Sequence, residues 1–180
     1  RVSYYNLTHQ IMPEPRVGAK YFLGSGWTLR SATGLYDEAP PIQNMDPTYG
    51  NANLKSQRAA HATIGYENAF RQDGSSGWTI SNDVFYKYLY NLVATSPTYV
   101  TPSQPEYYNN SGFGHIAGLE MLVKYKASRM ESWVAYTLSR STLGNIQLPE
   151  STSPYDQTHL LTAVGSIELG RNWKLSSRVR

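Results

Sequence analysis

Apolar and polar side chains alternate with a period of two along most of this chain. The alternation runs in segments of about ten residues, the length of a tilted membrane strand, and one face of each segment avoids water while the other seeks it. About eight segments can be marked on this criterion. Val17, Ala19, Tyr21 and Leu23 oppose Arg16, Gly18 and Lys20 in the first, and Trp27, Leu29 and Leu35 oppose Thr28 and Arg30 in the second. Ala60, Ala62, Ile64 and Tyr66 oppose His61, Thr63 and Glu67, and Trp78, Ile80, Val84, Tyr86 and Tyr88 oppose Thr79, Ser81, Asp83 and Lys87. Ala117, Leu119, Met121, Val123 and Tyr125 then oppose Glu120 and Lys124, and Val134, Tyr136 and Leu138 oppose Glu131, Ala135 and Thr137. The last two set Leu161, Ala163, Ile167 and Leu169 against Thr162, Ser166 and Glu168, and Trp173, Leu175 and Val179 against Lys174, Ser176, Arg178 and Arg180.

Within these segments nearly every charge falls on the polar face, as the cost of a lipid-facing Lys or Arg, roughly 2–4 kcal/mol at the midplane, requires. Arg140, at a strand end, is the exception. Phe22, Phe85, Leu122, Trp133, Leu160 and Val164 fall on the polar face, where an apolar side chain costs little if it packs.

The connections alternate between short and long. Gly24-Ser25-Gly26, 72–77, 126–129 and Gly170-Arg171-Asn172 read as tight turns, whereas 37–58, 91–114 and 141–155 read as long loops. In an up-and-down meander all the long loops emerge at one end, as in outer-membrane barrels. Trp27, Trp78 and Trp173 each follow a short turn in the apolar phase, which predicts one aromatic belt at that end.

Composition narrows the field. Charged residues are 16%, against about 25% in an ordinary soluble domain, while aromatics reach 13% with 15 tyrosines. Lys+Arg 16 against Asp+Glu 13 leaves +3, too little to argue for a nucleic-acid surface. The absence of cysteine removes disulfides, thiolate metal sites and a cysteine nucleophile. No run approaches the roughly 18 apolar residues of a membrane helix, and mean hydropathy is -0.48; a barrel is compatible with both.

No catalytic constellation is found. His9, His61, His115 and His159 are scattered, without i, i+4 pairing, and read as lumen or loop residues rather than metal ligands. Asp156 and His159 lie near serines and threonines, yet no glycine-framed serine accompanies them. Gly112-Phe113-Gly114 leads into a strand rather than a helix, which disfavours a phosphate loop. The expectation is no enzyme, no cofactor and no metal site.

Asn109-Asn110-Ser111-Gly112-Phe113-Gly114-His115-Ile116-Ala117-Gly118-Leu119-Glu120 resembles the loop-to-strand pattern of the TonB-dependent receptors of the bacterial outer membrane. Pro15-Arg16-Val17-Gly18 with Gly34-Leu35-Tyr36, then Ser132-Trp133-Val134-Ala135-Tyr136-Thr137-Leu138-Ser139 and Tyr155-Asp156-Gln157-Thr158-His159-Leu160, are also similar to that family. Asn51-Ala52-Asn53-Leu54-Lys55-Ser56-Gln57 resembles a family motif that carries proline after the first Asn and Pro-Glu near its end; Ala52, Ser56 and Gln57 depart from it.

The fold class expected is all-β: a transmembrane antiparallel up-and-down β-barrel, about eight strands of a larger, roughly 22-stranded barrel. Residues 1–180 are expected to be part of one outer-membrane barrel domain, with the plug domain and the remaining strands outside them; the C-terminal stretch reads as a strand with no turn after it. The resemblance implies import of a scarce nutrient, such as a metal chelate or cobalamin, energised through the TonB complex. It also implies partners in the lipid bilayer, lipopolysaccharide and plug, and no nucleic acid. Lys20, Arg30, Asp83, Lys87, Glu120 and Lys124 are expected to face the lumen. Tyr49, Tyr99, Tyr107 and Tyr108, in the long loops, are candidate ligand contacts, because a rigid amphipathic ring gives contact area at low entropy cost; packing of the loops against each other is the alternative. Two other architectures remain open at this point: a small closed barrel with an anchoring or adhesive role, and a soluble β-sandwich binding module.

Overall fold

The computed structural model describes residues 1–48, 50–73, 76–96, 107–146 and 148–180, and only the backbone of 71–73. A hairpin of β1 (Val2–Tyr5) and β2 (Gln10–Pro13) precedes the main sheet. The sheet contains β3 (Arg16–Gly24), β4 (Trp27–Glu38), β5 (Gln57–Asp73), β6 (Ser76–Thr95), β7 (Tyr108–Lys126), β8 (Met130–Gly144), β9 (Ser151–Thr152), β10 (His159–Gly170) and β11 (Trp173–Val179). Its order is β11-β10-β8-β7-β6-β5-β4-β3, with the short β9 on β8, and every ladder is antiparallel. Successive long strands are neighbours, so the sheet is an up-and-down meander.

The register carries the two-faced pattern across the whole sheet. Tyr21, Leu29, Tyr66, Asn82, Met121, Tyr136 and Leu161 oppose one another from strand to strand. The adjacent row is Lys20, Arg30, Gly65, Asp83, Glu120, Thr137 and Leu160. Opposed residues share a face, so a slip of one residue in any ladder would mix the two sets.

Nothing among the described residues packs against the apolar face. Among the described residues Leu54 is the only buried apolar side chain, while Ile64, Val84 and Leu161 stand 55–56% exposed in the middle of their strands. A soluble protein rarely leaves more than a few hundred Å² of contiguous apolar surface uncovered. With no second layer facing this sheet among the described residues, a β-sandwich is excluded as its architecture. The small closed barrel fails as well: β3 and β11 are the sheet's two edges, and no ladder joins them.

Two of the short connections are built alike. Ser25 and Gly26 (φ 49 and 80) and Arg171 and Asn172 (φ 49 and 65) form two-residue loops with both residues left-handed. Such loops match the twist of paired strands. Gly24 and Gly170, also left-handed, open the turns, and Trp27 and Trp173 close them. Trp27 lies 5.5 Å from Tyr66 and 6.1 Å from Phe70, and Trp78 lies 4.6 Å from Tyr125, which gives the aromatic belt expected at this end. A second belt stands ten residues further along the strands, where Tyr88 follows Trp78 on β6 and His115 precedes Tyr125 on β7. Ten residues span about 33 Å, and a tilt of roughly 40° reduces that to about 25 Å, the height of the apolar band of a membrane barrel.

At the long-loop end the strands are longer than the alternation suggests. The ladder of β6 with β7 continues to Thr95 and Tyr108 through bulges at Leu89/Leu92 and Leu92/Ala94, with Asn91 left-handed (φ 55). Beyond the lipid both faces are wet, so the sequence loses its period while the backbone keeps pairing. Residues 1–14, to which the alternation assigns no strand, form the β1–β2 hairpin and are tied back by the hydrogen bond from the Tyr5 hydroxyl to the Asp37 carbonyl.

Two of the sequence motifs meet here. The Asn110 amide donates to the carbonyls of Lys55 (2.9 Å) and Asn91 (2.8 Å) and accepts from Lys55 N–H (2.7 Å). Asn51 donates to the Tyr108 carbonyl (2.9 Å) and accepts from Asn53 N–H (2.8 Å). Asn110 thus fastens the loop before β5 to the rims of β6 and β7. Replacing Asn110 by Ala leaves three backbone groups without these partners and is expected to cost about 2–3 kcal/mol, read as a lower urea midpoint of the lipid-reconstituted protein.

Candidate functional site

Lys20, Arg30, Asp83, Lys87, Glu120 and Lys124 all lie on the polar face of the sheet. Lys20 and Arg30 are direct partners across β3 and β4, and Asp83 and Glu120 across β6 and β7. Arg30 reaches over β5: Nε donates to Asp83 Oδ1 (2.9 Å), Nη1 to Glu67 Oε2 (3.1 Å) and Nη2 to Asp83 Oδ2. It can do so because the position between Arg30 and Asp83 is Gly65, where a Cβ would overlap the Asp83 carboxylate and the Asn82 carbonyl. Lys87 Nζ sits 5.5 Å above the Phe85 ring, a cation–π contact. Lys20, Glu120 and Lys124 form no ion pair among the described residues. A hollow of about 510 Å³ is lined by Lys20, Arg30, Thr63 and Asp83.

Towards the long-loop end the same face carries a stack not apparent in the alternation. The Arg16 guanidinium lies 4.1 Å over the Tyr36 ring, which stacks on His61 at 4.2 Å. His61 in turn opposes Lys87. Tyr36, His61, Gln57 and Leu89 line a second hollow of about 330 Å³. Glu67, which the alternation placed on this face, joins the Arg30 network, and Arg58 pairs with the buried Asp37 (2.7 Å) beyond the apolar band. The signal for these contacts was the phase of neighbouring strands, which becomes informative only once the register is known.

Of the four candidate tyrosines, Tyr49 and Tyr99 lie outside the described residues. Tyr107 and Tyr108 flank the start of β7, and the structure uses their backbones: the Tyr107 carbonyl accepts from Ser96 N–H (2.7 Å) and the Tyr108 carbonyl from Asn51. The histidines require a correction. His61 is on the polar face, but His115 and His159 are in the apolar phase, opposite Tyr88 and Leu138. Tyrosine hydroxyls that satisfy their rings make this tolerable. Among the described residues no three His, Asp or Glu side chains are grouped to hold a metal, and no helix is long and apolar enough to cross a membrane.

Two carboxylates at the loop end, Asp156 and Glu14, are held below the usual carboxylate range. Asp156 accepts from the Thr158 hydroxyl (2.7 Å) and Ser141 N–H (2.6 Å), which lowers its pKa. Glu14, 2% exposed, is lowered by the Ser3 hydroxyl and by Arg1 and Arg16 against the opposing effect of burial.

The β-barrel model of the TonB-dependent receptor-like family matches residues 4–175. The chain belongs to that family. Among solved structures it is similar to the FrpB iron transporter from Neisseria meningitidis (F3-3 variant), with a TM-score of 0.67 and 15% identity over 94% of this chain. It spans 26% of that transporter's chain; at this identity the likeness speaks for the fold. No curated protein matches the sequence. Membership of the TonB-dependent receptor family accounts for a single-layer sheet with one apolar face, short turns at one end and long loops at the other.

Two outcomes are expected. Gly65→Val displaces the Asp83 carboxylate and opens the Arg30 bridge, at a cost of about 1–3 kcal/mol in denaturant unfolding. The second concerns acid. Asp156 and Glu14 have lowered folded-state pKa values, so near pH 4 the unfolded chain binds more protons than the folded one. Their stabilisation is complete above the ordinary carboxylate range and is lost as pH falls through it and below. Asp156→Asn removes part of this loss, seen as a flatter profile of unfolding midpoint against pH between about 6 and 3.

Proposed function

We propose that this chain is part of the barrel wall of an outer-membrane receptor of Gram-negative bacteria that imports a scarce nutrient, a metal chelate or cobalamin, through the TonB complex, with no catalytic role. The family match over residues 4–175 carries this reading; the two-faced register supports it. Residues 1–180 then form part of one barrel domain, and a plug domain and further strands complete the protein. In hydrocarbon an unpaired backbone N–H or C=O costs several kcal/mol, so the free edges of β3 and β11 require neighbouring strands.

In this reading Lys20, Arg30, Asp83, Lys87, Glu120 and Lys124 face the lumen, where water or the plug meets their charges at little cost. Lys20, Glu120 and Lys124 are the ones left for plug or solvent, since Arg30 and Asp83 are engaged with each other. Tyr49, Tyr99, Tyr107 and Tyr108 meet the ligand at the long-loop end.

The test uses the intact receptor in cells. Uptake of radiolabelled iron chelates and of cobalamin is expected to show one substrate whose accumulation disappears on deletion of the receptor or of TonB. Tyr107→Ala with Tyr108→Ala is expected to weaken its binding about tenfold, or 1.4 kcal/mol, without altering the heat-dependent gel mobility that reports a folded barrel. Uptake that persists without TonB contradicts the import mechanism, and unchanged affinity in the double variant contradicts the tyrosine assignment.

A further inference from the structure

At the short-turn end two hairpins stand side by side, and each carries an arginine at its tip. Ser128 and Arg129 form a loop closed by the Ala127 N–H on the Met130 carbonyl (2.7 Å). Arg171 and Asn172 form the left-handed loop between β10 and β11 (φ 49 and 65). The Glu168 N–H donates to the Arg129 carbonyl (2.8 Å), one step beyond the Ile167–Met130 pair that joins β10 to β8. The sheet therefore fixes the two tips relative to each other. A hollow of about 530 Å³ is lined by Arg129, Glu168, Gly170, Arg171, Asn172 and Trp173, a volume within the roughly 300–1,000 Å³ of small-ligand sites.

Both signs of charge line this hollow, and neither is neutralised there. Arg129, Glu168 and Arg171 are exposed and form no ion pair among the described residues. Lys174 stands opposite Glu168 in the ladder, again without an ion pair. Glu168 shares the polar phase with Thr162 and Ser166, and Arg129, one residue before the apolar Met130, continues that phase. Lipid therefore lies across the sheet from both, which disfavours a phospholipid headgroup as the occupant. Each guanidinium offers a fork of donors that fits a carboxylate, and the Glu168 carboxylate accepts from an ammonium. The complementary ligand is a small group that carries a carboxylate and an ammonium together. Trp173, 73% exposed, adds a flat amphipathic wall against which a sugar or peptide chain can lie.

We propose that Arg129, Arg171 and Glu168 form a docking site for peptidoglycan, and that its ligand is the free end of a diaminopimelate residue in a stem peptide. That end bears a carboxylate and an ammonium on one carbon, which matches the charges of the hollow. The two arginines take the carboxylate and Glu168 takes the ammonium. Short turns of an outer-membrane barrel face the periplasm, where this polymer lies, so the proposal rests on the receptor reading of the preceding section. The site would tether the barrel to the cell wall from its periplasmic rim, away from the long loops.

The test is calorimetric titration of the intact receptor in detergent with soluble disaccharide–tetrapeptides. One contains diaminopimelate and the other lysine, which keeps the ammonium and lacks the carboxylate. The wild-type protein is expected to bind the first about tenfold more tightly, the size of one charge-assisted bidentate contact. Arg129→Gln with Arg171→Gln should abolish that preference, Glu168→Gln should weaken binding of both peptides, and Lys87→Gln at the other end of the sheet should change neither. Equal affinity of the wild type for the two peptides overturns the proposal and needs no variant to be folded. So does an undiminished preference in the folded double variant, or equal binding of an oligo-glutamate peptide, which would mark an acidic protein as the partner. A cysteine at Ser128 separates this failure from failure of the receptor reading. If a membrane-impermeant maleimide labels it in intact cells, the short turns are not periplasmic and both fall; if it is shielded while the peptides bind equally, only this site falls.

Discussion

Hydrocarbon offers no hydrogen bonds, and that constraint orders everything else in this structure. A chain that crosses it by strands must pair every backbone N–H and C=O with a neighbouring strand. Between β3 and β11 the antiparallel ladders meet that requirement, and the outer edges of these two strands are left to neighbouring strands. Once the backbone is paired in this way the side chains have only two faces to occupy, and the cost of charge in lipid allocates them. Hence a sheet with one buried apolar residue among its described residues, Leu54, can still be ordered: the apolar burial that would hold a soluble fold together is made against lipid.

The polar face shows how charge is managed once lipid has been excluded from it. Arg30 bridges β4 and β6 over Gly65, and Glu67 completes the arrangement. The ion pairs are partly exposed, and such pairs contribute little to stability singly. Their effect is positional, because they fix which charges are engaged and leave Lys20, Glu120 and Lys124 available. The loop end is held differently, by side-chain amides. Asn110 satisfies backbone groups of Lys55 and Asn91, so the loop preceding β5 is anchored where periodic pairing ends.

The faces of the strands were legible in the sequence because the lipid requirement acts on every second residue over a band of about 25 Å. Val84 and Leu119 could be assigned to one side and Asp83 and Glu120 to the other before any register was known, and the ladder of β6 with β7 opposes them in those pairs. The tryptophans after the short turns were readable for the same reason. Beyond the band the requirement lapses. The continuation of β6 to Thr95 and the hairpin of β1 and β2 rest on backbone pairing and on contacts such as Tyr5 with Asp37, which leave no period to read. The Tyr36–His61 stack and the outward His115 and His159 depend on which residues of adjacent strands become diagonal neighbours, and a single strand's sequence does not contain that. The loop tyrosines are legible only as a composition, since their roles depend on loop conformation.

The chain has no cysteine, so single cysteines can be introduced and labelled without background. The most direct measurement of lipid-facing orientation is quenching of a fluorophore at each position by brominated lipids, in the intact receptor reconstituted into vesicles. Strong quenching at Ile64, Val84 and Leu119, with little at Lys87, Glu120 and Lys124, is the result predicted. The reverse order would mean that the sheet presents its charged side to the bilayer, and the assignment of both faces would be wrong.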